Sequence, residues 1–518
     1  MPQIPTECLE EIFKYLEKDK NSLFSCLLVE RSWSHIVIPI LWRKLWEGTN
    51  VKLIETYISC LNESDRDILL DEGVDLPDTP EPLFNYPRYL KNFDLGLLED
   101  LVYGWLTVDG PLDPEDLNQV TSVMSIICKL IIDNTDGLYN LEIGDWKENY
   151  NIPDIALLKG IRNALVDLRE FQIHGTCYMA SAEALDNISN ILTIMSHFSN
   201  NIQLINIDCC HRDFRLGKRL SALIESQSHL QHLLIEDSSW NSTLTQSLNS
   251  AFSSQFNHLK TVTISGLPLD NFFLSNLANC TKLESLNIFH CRNLKSIDSM
   301  SHEVKQSCQL PLSKLASLHN SIDSLFIFEI FEMSKSNLSK LILDNVDSNM
   351  IQHVSNFCKN VEYLAININS EIIKTIHLLS NLNIKHFIFY SRSTSTITTP
   401  STDILKLFGL SLPPSLNSLD LDFNITPDGL NEILNFTQAR IKSLGLKLPR
   451  PFDNIGINDE FLNVILKHTM LNGGILKELR IDRGREFLVH KHFSEEMLAN
   501  AKGILKIIPE FDIPWNTF

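Results

Sequence analysis

Residues 283–288 read LESLNI, and this arrangement of apolar-x-x-apolar-x-apolar recurs down the chain. Further clear copies are LQHLLI (230–235), LSKLIL (338–343), LNSLDL (416–421) and LKELRI (476–481). Looser copies centre on Ile205, Val262, Leu364, Phe387 and Leu444, and Leu168, Phe171 and Ile173 open the series. The last two apolar positions of each copy are two apart, so they lie on one side of a short strand. Between copies the spacing turns helical, as in MIQHVSNFCKN (350–360), EIIKTIHLLSN (371–381) and DGLNEILNFTQ (428–438). The central positions are 28, 29 and 24 residues apart from Ile205 to Leu286, 23 and 23 from Leu341 to Phe387, and 25 from Leu419 to Leu444. A strand–helix unit of this size cannot bury its apolar face alone, so the units stack and share one core. The expected class is α/β, with a curved parallel sheet.

In period and pattern this array resembles leucine-rich repeats. Its spacing is uneven. Leu286 to Leu325 is 39 residues and Leu325 to Leu341 only 16. LFIFEIFEM (325–333) therefore reads as a strand outside the register, or an insertion lies near residues 302–312. Two other long intervals contain SRSTSTITTPST (391–402) and PRPFDNIG (449–456), which read as projecting loops, either for recognition or as plain excursions. At the end of the chain, Phe511, Ile513, Trp515 and Phe518 read as a cover for the last repeat, with a docking motif as the alternative.

The front of the chain is different. Residues 4–46 read IPTECLEEIFKYLEKDKNSLFSCLLVERSWSHIVIPILWRKLW. Leu9, Ile12, Phe13 and Leu16 stand at i, i+3, i+4 and i+7, one face of a helix that Pro5 starts and Glu7, Glu10 and Glu11 favour electrostatically. Leu23, Cys26 and Leu27 mark a second helix. Trp33, Ile36, Ile38, Leu41 and Trp42 supply a third stretch, in which Pro39 marks a restart. About forty residues rarely bury enough surface to stand alone. This stretch has more large apolar groups than three short helices can hide, which argues for a partner.

Pro5, Glu7, Leu9, Ile12, Phe13, Leu16, Leu23, Cys26, Val29, Arg31, Trp33, Leu41, Trp42 and Arg43 match the pattern of an F-box, and Ile4, Ser22 and Glu30 depart from it. The resemblance implies binding of a Skp-type adaptor and, through it, a cullin-RING ubiquitin ligase. It implies adaptor-binding or adaptor-shaping roles for Pro5, Leu9, Ile12, Phe13, Leu16, Leu23, Cys26, Val29, Trp33 and Trp42.

Residues 47–160 read as an acidic, partly helical linker between the F-box (1–46) and the array (161–518). Leu53, Tyr57, Cys60 and Leu61 share a helical face. Pro77, Pro80, Pro82 and Pro87 make a turn-rich connection, after which Phe84, Tyr86, Tyr89 and Phe93 dock it on a neighbour. Residues 95–105 and 117–132 read as helices, the second entered through Asp113, Pro114 and Glu115. The order Tyr-Ile-Ser-Cys-Leu, a proline-rich turn, then Leu-Phe-Asn-Tyr-Pro resembles the linker of a large fungal group of F-box proteins. Residues 51–160 hold 22 acidic against 7 basic side chains, a solvated face or a patch that steers basic partners.

The formal charge of −20 argues against binding a phosphate backbone. The first ten residues lack a secretory pattern and no apolar run is long enough for a membrane span, so the expected setting is cytoplasmic or nuclear. The eleven scattered cysteines suit reduced thiols there. No phosphate loop, HExxH or GxSxG is present. His229 with His232, and Cys209, Cys210 and His211, lack the remaining ligands of a zinc site. Cys291 and the Cys209 region sit where leucine-rich repeats place a turn-bonding Asn or Cys. Asp420 and Asp422 alternate with Leu419 and Leu421, as on the exposed side of a strand.

The reading is a non-catalytic substrate-recognition subunit of a ubiquitin ligase, with no cofactor or metal and with an unknown protein target on the repeats. A leucine-rich-repeat regulator of a small GTPase, and an F-box scaffold without degradation, are the alternatives.

Overall fold

The structure is a computed structural model. It describes residues 5–45, 51–108, 110–112, 117–144, 152–174, 181–208, 214–236, 248, 250–293, 310–367, 375–390, 401–423, 425–447, 458–481 and 493–508. Contacts divide the chain into two compact units, Met1–Thr261 with Ser265–Leu267, and Val262–Ile264 with Pro268–Phe518.

The first unit opens with α1 (Thr6–Tyr15), α2 (Lys20–Leu27) and α3 (Arg31–Leu41). Then follow α4 (Val51–Ser59), α5 (Glu63–Asp71), β1 (Asn92–Asp94), α6 (Leu95–Leu106), α7 (Leu117–Asn134) and β2 (Asn140–Ile143). After them come α8 (Ile161–Leu165), β3 (Glu170–Ile173), α9 (Ala182–Phe198), β4 (Leu204–Asp208), α10 (Phe214–Glu225) and β5 (His232–Glu236). Strands β1 to β5 pair in parallel, each with the next, and Phe93, Leu141, Phe171, Ile205 and Leu233 stand in one register column. All five are buried. The sheet thus starts at Asn92, two strands ahead of the first copy the repeat pattern reveals. Both strands lie in the stretch read as linker, yet both carry the full triplet, Leu90, Phe93 and Leu95 and then Leu138, Leu141 and Ile143, all six buried, so the array begins before residue 161.

Strand β6 (Thr261–Ser265) lies where the units meet in sequence. In the second unit the main strands are β8 (Ser285–Phe289), β10 (Lys314–Leu318), β11 (Lys340–Leu343), β12 (Tyr363–Asn367), β13 (His386–Tyr390), β14 (Ser418–Asp422), β15 (Ser443–Leu446), β16 (Glu478–Ile481) and β17 (Lys506–Ile508). A two-residue pair, β7 (Pro268–Leu269) and β9 (Arg292–Asn293), stands beside them. The main strands are parallel and in register: Leu286, Leu315, Leu341, Leu364, Phe387, Leu419, Leu444, Leu479 and Ile507 form one column. The triplets read at Leu286, Leu341, Leu364, Phe387, Leu419, Leu444 and Leu479 fall in this column, and the stretch at Leu325 does not.

Residues 324–334 are a helix, Ser324–Ser334, not a strand. Asp323 caps it by accepting from the Leu325 N–H at 3.0 Å. The missing strand is β10, ten residues earlier. With Leu315 in place the intervals become 29 and 26 residues, and the array is regular here. The strand escapes the pattern because Ser317 occupies its third apolar position. Ser317 is buried and accepts from Asn320 Nδ2 at 2.9 Å. Asn320 also donates to the Ile288 carbonyl at 2.8 Å, and Cys291 Sγ lies 3.8 Å from the Ile264 carbonyl it bonds, so turn residues tie one rung to the last.

The helices lie on the Leu315 side of the sheet. Phe389, two after Phe387, meets Phe408 of the helix Thr402–Ser411 edge to face at 4.6 Å. That helix packs closely on Pro427–Phe436. A Cβ at Gly409 would stand 2.7 Å from the Ile433 carbonyl, and one at Gly429 2.5 Å from Leu405 Cδ1. Gly409→Ala is therefore expected to lower stability by about 1–3 kcal/mol, read as a reduced urea midpoint.

Asp420 and Asp422 are buried, contrary to the exposed positions their alternation implies. Cations from β16 and from just beyond β15 hold them: Arg480 meets Asp420 at 2.5 Å and Lys447 meets Asp422 at 2.8 Å. Burial pushes the Asp420 carboxyl from 3.8 up to about 7, against the pull of Arg480. A raised folded pKa means that the folded chain binds more protons than the unfolded one between these values. Stability should then fall as pH rises from about 4 to about 7. Asp420→Asn should flatten that fall in urea midpoints measured across the range.

Among the described residues, no helix is long and apolar enough to cross a membrane. The reading of 509–518 as a cap, the two projecting loops, the helix entry at 113–115 and Cys209 to His211 lie outside the described residues, apart from Ser401 and Thr402 at the end of the first loop.

Candidate functional site

The three N-terminal helices are set by their ends. Pro5 precedes α1 and its carbonyl accepts from the N–H groups of Cys8 and Leu9 at 3.0 and 3.1 Å. Asp19 caps α2, accepting from the Ser22 N–H at 3.1 Å and the Ser22 hydroxyl at 2.6 Å. Ser22, a departure from the F-box pattern, thus completes a local cap. Helix α3 runs through Pro39 without a restart. Proline's missing N–H removes the one bond to the His35 carbonyl, and past it the Trp42 N–H still reaches the Ile38 carbonyl at 2.9 Å.

The inner faces meet in a core of Leu9, Phe13, Leu23, Val37, Ile40 and Leu41. Phe13 sets its ring against the edge of Trp33 at 5.1 Å. The ten residues singled out from the sequence therefore divide. Leu9, Phe13 and Leu23 are enclosed by their own bundle and shape it. Leu16, Cys26, Trp33 and Trp42 are half-buried against that core. Pro5, Ile12 and Val29 face solvent.

Trp42 points into the linker: its ring lies 4.3 Å from that of Tyr86 and 5.5 Å from that of Tyr57. His35 meets Phe84 at 5.3 Å. The expected docking of Phe84 and Tyr86 is thus onto the N-terminal helices. Arg43 continues the attachment, its carbonyl accepting from the Lys91 and Asn92 N–H groups at 2.8 and 2.9 Å. A parallel bridge joins Lys44 to Asn92. The bundle is woven into the start of the sheet within the first unit.

Among the charged residues left outside are several large apolar ones. Ile12 is 49% exposed, Tyr15 89%, Phe24 55%, Leu28 89% and Val29 59%. Isolated exposed apolar residues are ordinary, but five large ones within eighteen residues are not. Sequence reading missed Tyr15, Phe24 and Leu28. Tyr15 stands three places after Ile12, and Leu28 four after Phe24, so a second helical face was visible beside the core face. Among the described residues no group of three or more His, Cys, Asp or Glu could hold a metal ion. His229, considered with His232, instead faces His258 across 5.9 Å. What the outer face can offer is apolar area.

Residues 1–47 match the F-box-like family. No curated protein matches the chain. Solved structures with a similar fold include the yeast Rad7 and Elc1 complex, at 12% identity over 90% of this chain and 99% of that one, with a TM-score of 0.34. The leucine-rich repeat-containing protein LegL7 from Legionella pneumophila is 13% identical over 64% of this chain and 98% of its own, with a TM-score of 0.34. The mouse RP105/MD-1 complex is 15% identical over 73% of this chain and 61% of that one, with a TM-score of 0.37. The chain carries an F-box-like domain at residues 1–47, ahead of a parallel array of strand–helix repeats of the leucine-rich kind.

Proposed function

We propose that this chain is a substrate-recognition subunit of a Skp/cullin/F-box ubiquitin ligase. The F-box-like helices hold a Skp-type adaptor, the adaptor joins the cullin-RING assembly, and the repeats hold a target protein. The chain itself does no chemistry, needs no cofactor and works in the cytoplasm or nucleus. The observation that carries this reading is the outer face of the three helices, with Ile12, Tyr15, Phe24, Leu28 and Val29 open to solvent. A stable protein interface buries on the order of 1,600 Å² in total, and a few large side chains dominate its energy.

The test is affinity purification of the full chain with the proteasome blocked, beside an Ile12→Asp/Leu28→Asp variant. Substitution is preferable to deleting residues 1–46, because Arg43 and Lys44 bond the first strand. Adaptor and cullin are expected with the parent chain only. Target proteins are expected with both, and their cellular level should rise with the variant. Adaptor recovered equally with both chains refutes the docking face. Adaptor present, with every bound protein unchanged in level, supports a scaffold instead.

A further inference from the structure

The last three strands of the second unit carry an excess of cations. Residues 437–447, 472–481 and 501–508, which hold β15, β16 and β17, have seven basic side chains and one acidic, in a chain of formal charge −20. Lys447 and Arg480 are spent on Asp422 and Asp420. Arg440, Lys442, Lys477, Lys502 and Lys506 remain, and all five are exposed. Among the described residues none of these five has an ion-pair partner.

Lys442 and Lys477 stand at the leading ends of neighbouring strands, where the Lys477 N–H donates to the Lys442 carbonyl at 2.9 Å. Three strands earlier the same two positions are held by Glu362 and Lys385, and the Lys385 N–H donates to the Glu362 carbonyl at 2.8 Å. There the side chains pair, Lys385 Nζ to Glu362 Oε1 at 2.5 Å. Side chains at these positions therefore reach one another across a rung. In the later pair both are ammonium groups, which repel, and the place that a carboxylate takes beside Lys385 is left to an outside anion. Glu478 does not take it. It alternates to the other side of the chain from Lys477 and stands opposite Lys506 in the register.

We infer that this rim docks a short acidic segment of a partner protein, with Lys442 and Lys477 at its centre, Arg440 just ahead of Lys442, and Lys506 on the next strand. Charge complementarity identifies the occupant. A carboxylate set between Lys442 and Lys477 meets two cations as Glu362 meets one, and it removes a repulsion already present. Exposed ion pairs contribute little one at a time, so several cations must act on one run of acids. Two steps, from β15 to β17, span roughly 10 Å, the length of about three extended residues. The rim is thus matched to a short run of Asp or Glu. A long polyanion such as a nucleic acid would run on from it over a chain of net charge −20, which repels it. The same net charge disfavours acidic segments on other surfaces and steers them here.

The inference rests on the repeats being the target-holding part of the molecule. Its test is fluorescence anisotropy, at low salt and on the full chain, of a labelled peptide with four consecutive Glu between Gly-Ser flanks. The same peptide with Gln in place of Glu, and a single-stranded DNA of equal charge, are the controls. The Glu peptide should bind about tenfold more tightly than the Gln peptide, and the difference should fade as salt rises. Lys442→Gln/Lys477→Gln should remove that advantage, whereas Lys467→Gln, on the helix Asp459–Leu471, should keep it. Lys477→Glu supplies a carboxylate beside Lys442 from within the chain. It should abolish peptide binding with a urea midpoint no lower than the parent's, which separates a lost site from a lost fold. Equal binding of both peptides, an advantage that the double variant keeps or that Lys467→Gln removes, tighter binding of the DNA, or a midpoint lowered by Lys477→Glu overturns the inference. Adaptor co-purification is scored on the parent chain in the same samples. Its absence with peptide binding intact removes the ligase reading and leaves this site standing.

Discussion

Ile12→Asp combined with Leu28→Asp is expected to reduce affinity for a Skp-type adaptor by at least a hundredfold, with no change in the urea midpoint of the free chain. Both side chains are open to solvent in the chain as it stands, so a charge at either place costs the fold little. At an interface the same charges would have to leave water without a partner, a cost of several kcal/mol for each. Each 1.4 kcal/mol is tenfold in affinity, so two such penalties exceed a hundredfold comfortably. Leu9→Asp is a poorer probe, although Leu9 belongs to the same motif. Leu9 sits in the core with Phe13 and Leu23, and a carboxylate there would unfold the bundle and abolish binding for an uninformative reason. Titration calorimetry and urea unfolding on the same variants separate the two cases. Undiminished affinity for the Ile12/Leu28 variant would show that the outer face is not where the adaptor sits.

Phe389→Ala should cost the second unit about 3–5 kcal/mol. The ring is fully buried, with Phe387 at 4.1 Å and Phe408 at 4.6 Å. Removing it opens a cavity between a strand and the helix that covers it, and neither side can close the gap without breaking the register of β13 with β12 and β14. Because each repeat is stabilised chiefly by its neighbours, the loss should spread along the array rather than stay local. Hydrogen exchange should report it as reduced protection over β12 to β15, while α1 to α3 keep theirs. A change confined to β13 would contradict this account of shared stability.

Much of the array was legible because its signal is periodic. The triplets at Leu286, Leu341, Leu364, Phe387, Leu419, Leu444 and Leu479 each put two apolar residues on one side of a strand, and all seven lie in a single register column. The failure at Leu325 has a local cause. LFIFEIFEM is rich in the residues that favour strands, but Asp323 caps a helix there, and the real strand carries Ser317 where an apolar residue is expected. The N-terminal helices were legible for the same reason of spacing, and so was their surplus of apolar groups.

By itself, then, the amino-acid sequence determined the strand–helix repeat, the three helices at the front and the family they match, since these depend on residue type at short range. Only the tertiary structure decided which apolar residues of the front helices are spent on their own core and which remain open, because neighbouring positions on a helix differ by their angle to the other two helices. It alone turned Trp42 toward Tyr57 and Tyr86 and tied Arg43 to the first strand. It alone buried Asp420 under Arg480, 60 residues away in sequence, since a partner at that distance leaves no trace in local spacing.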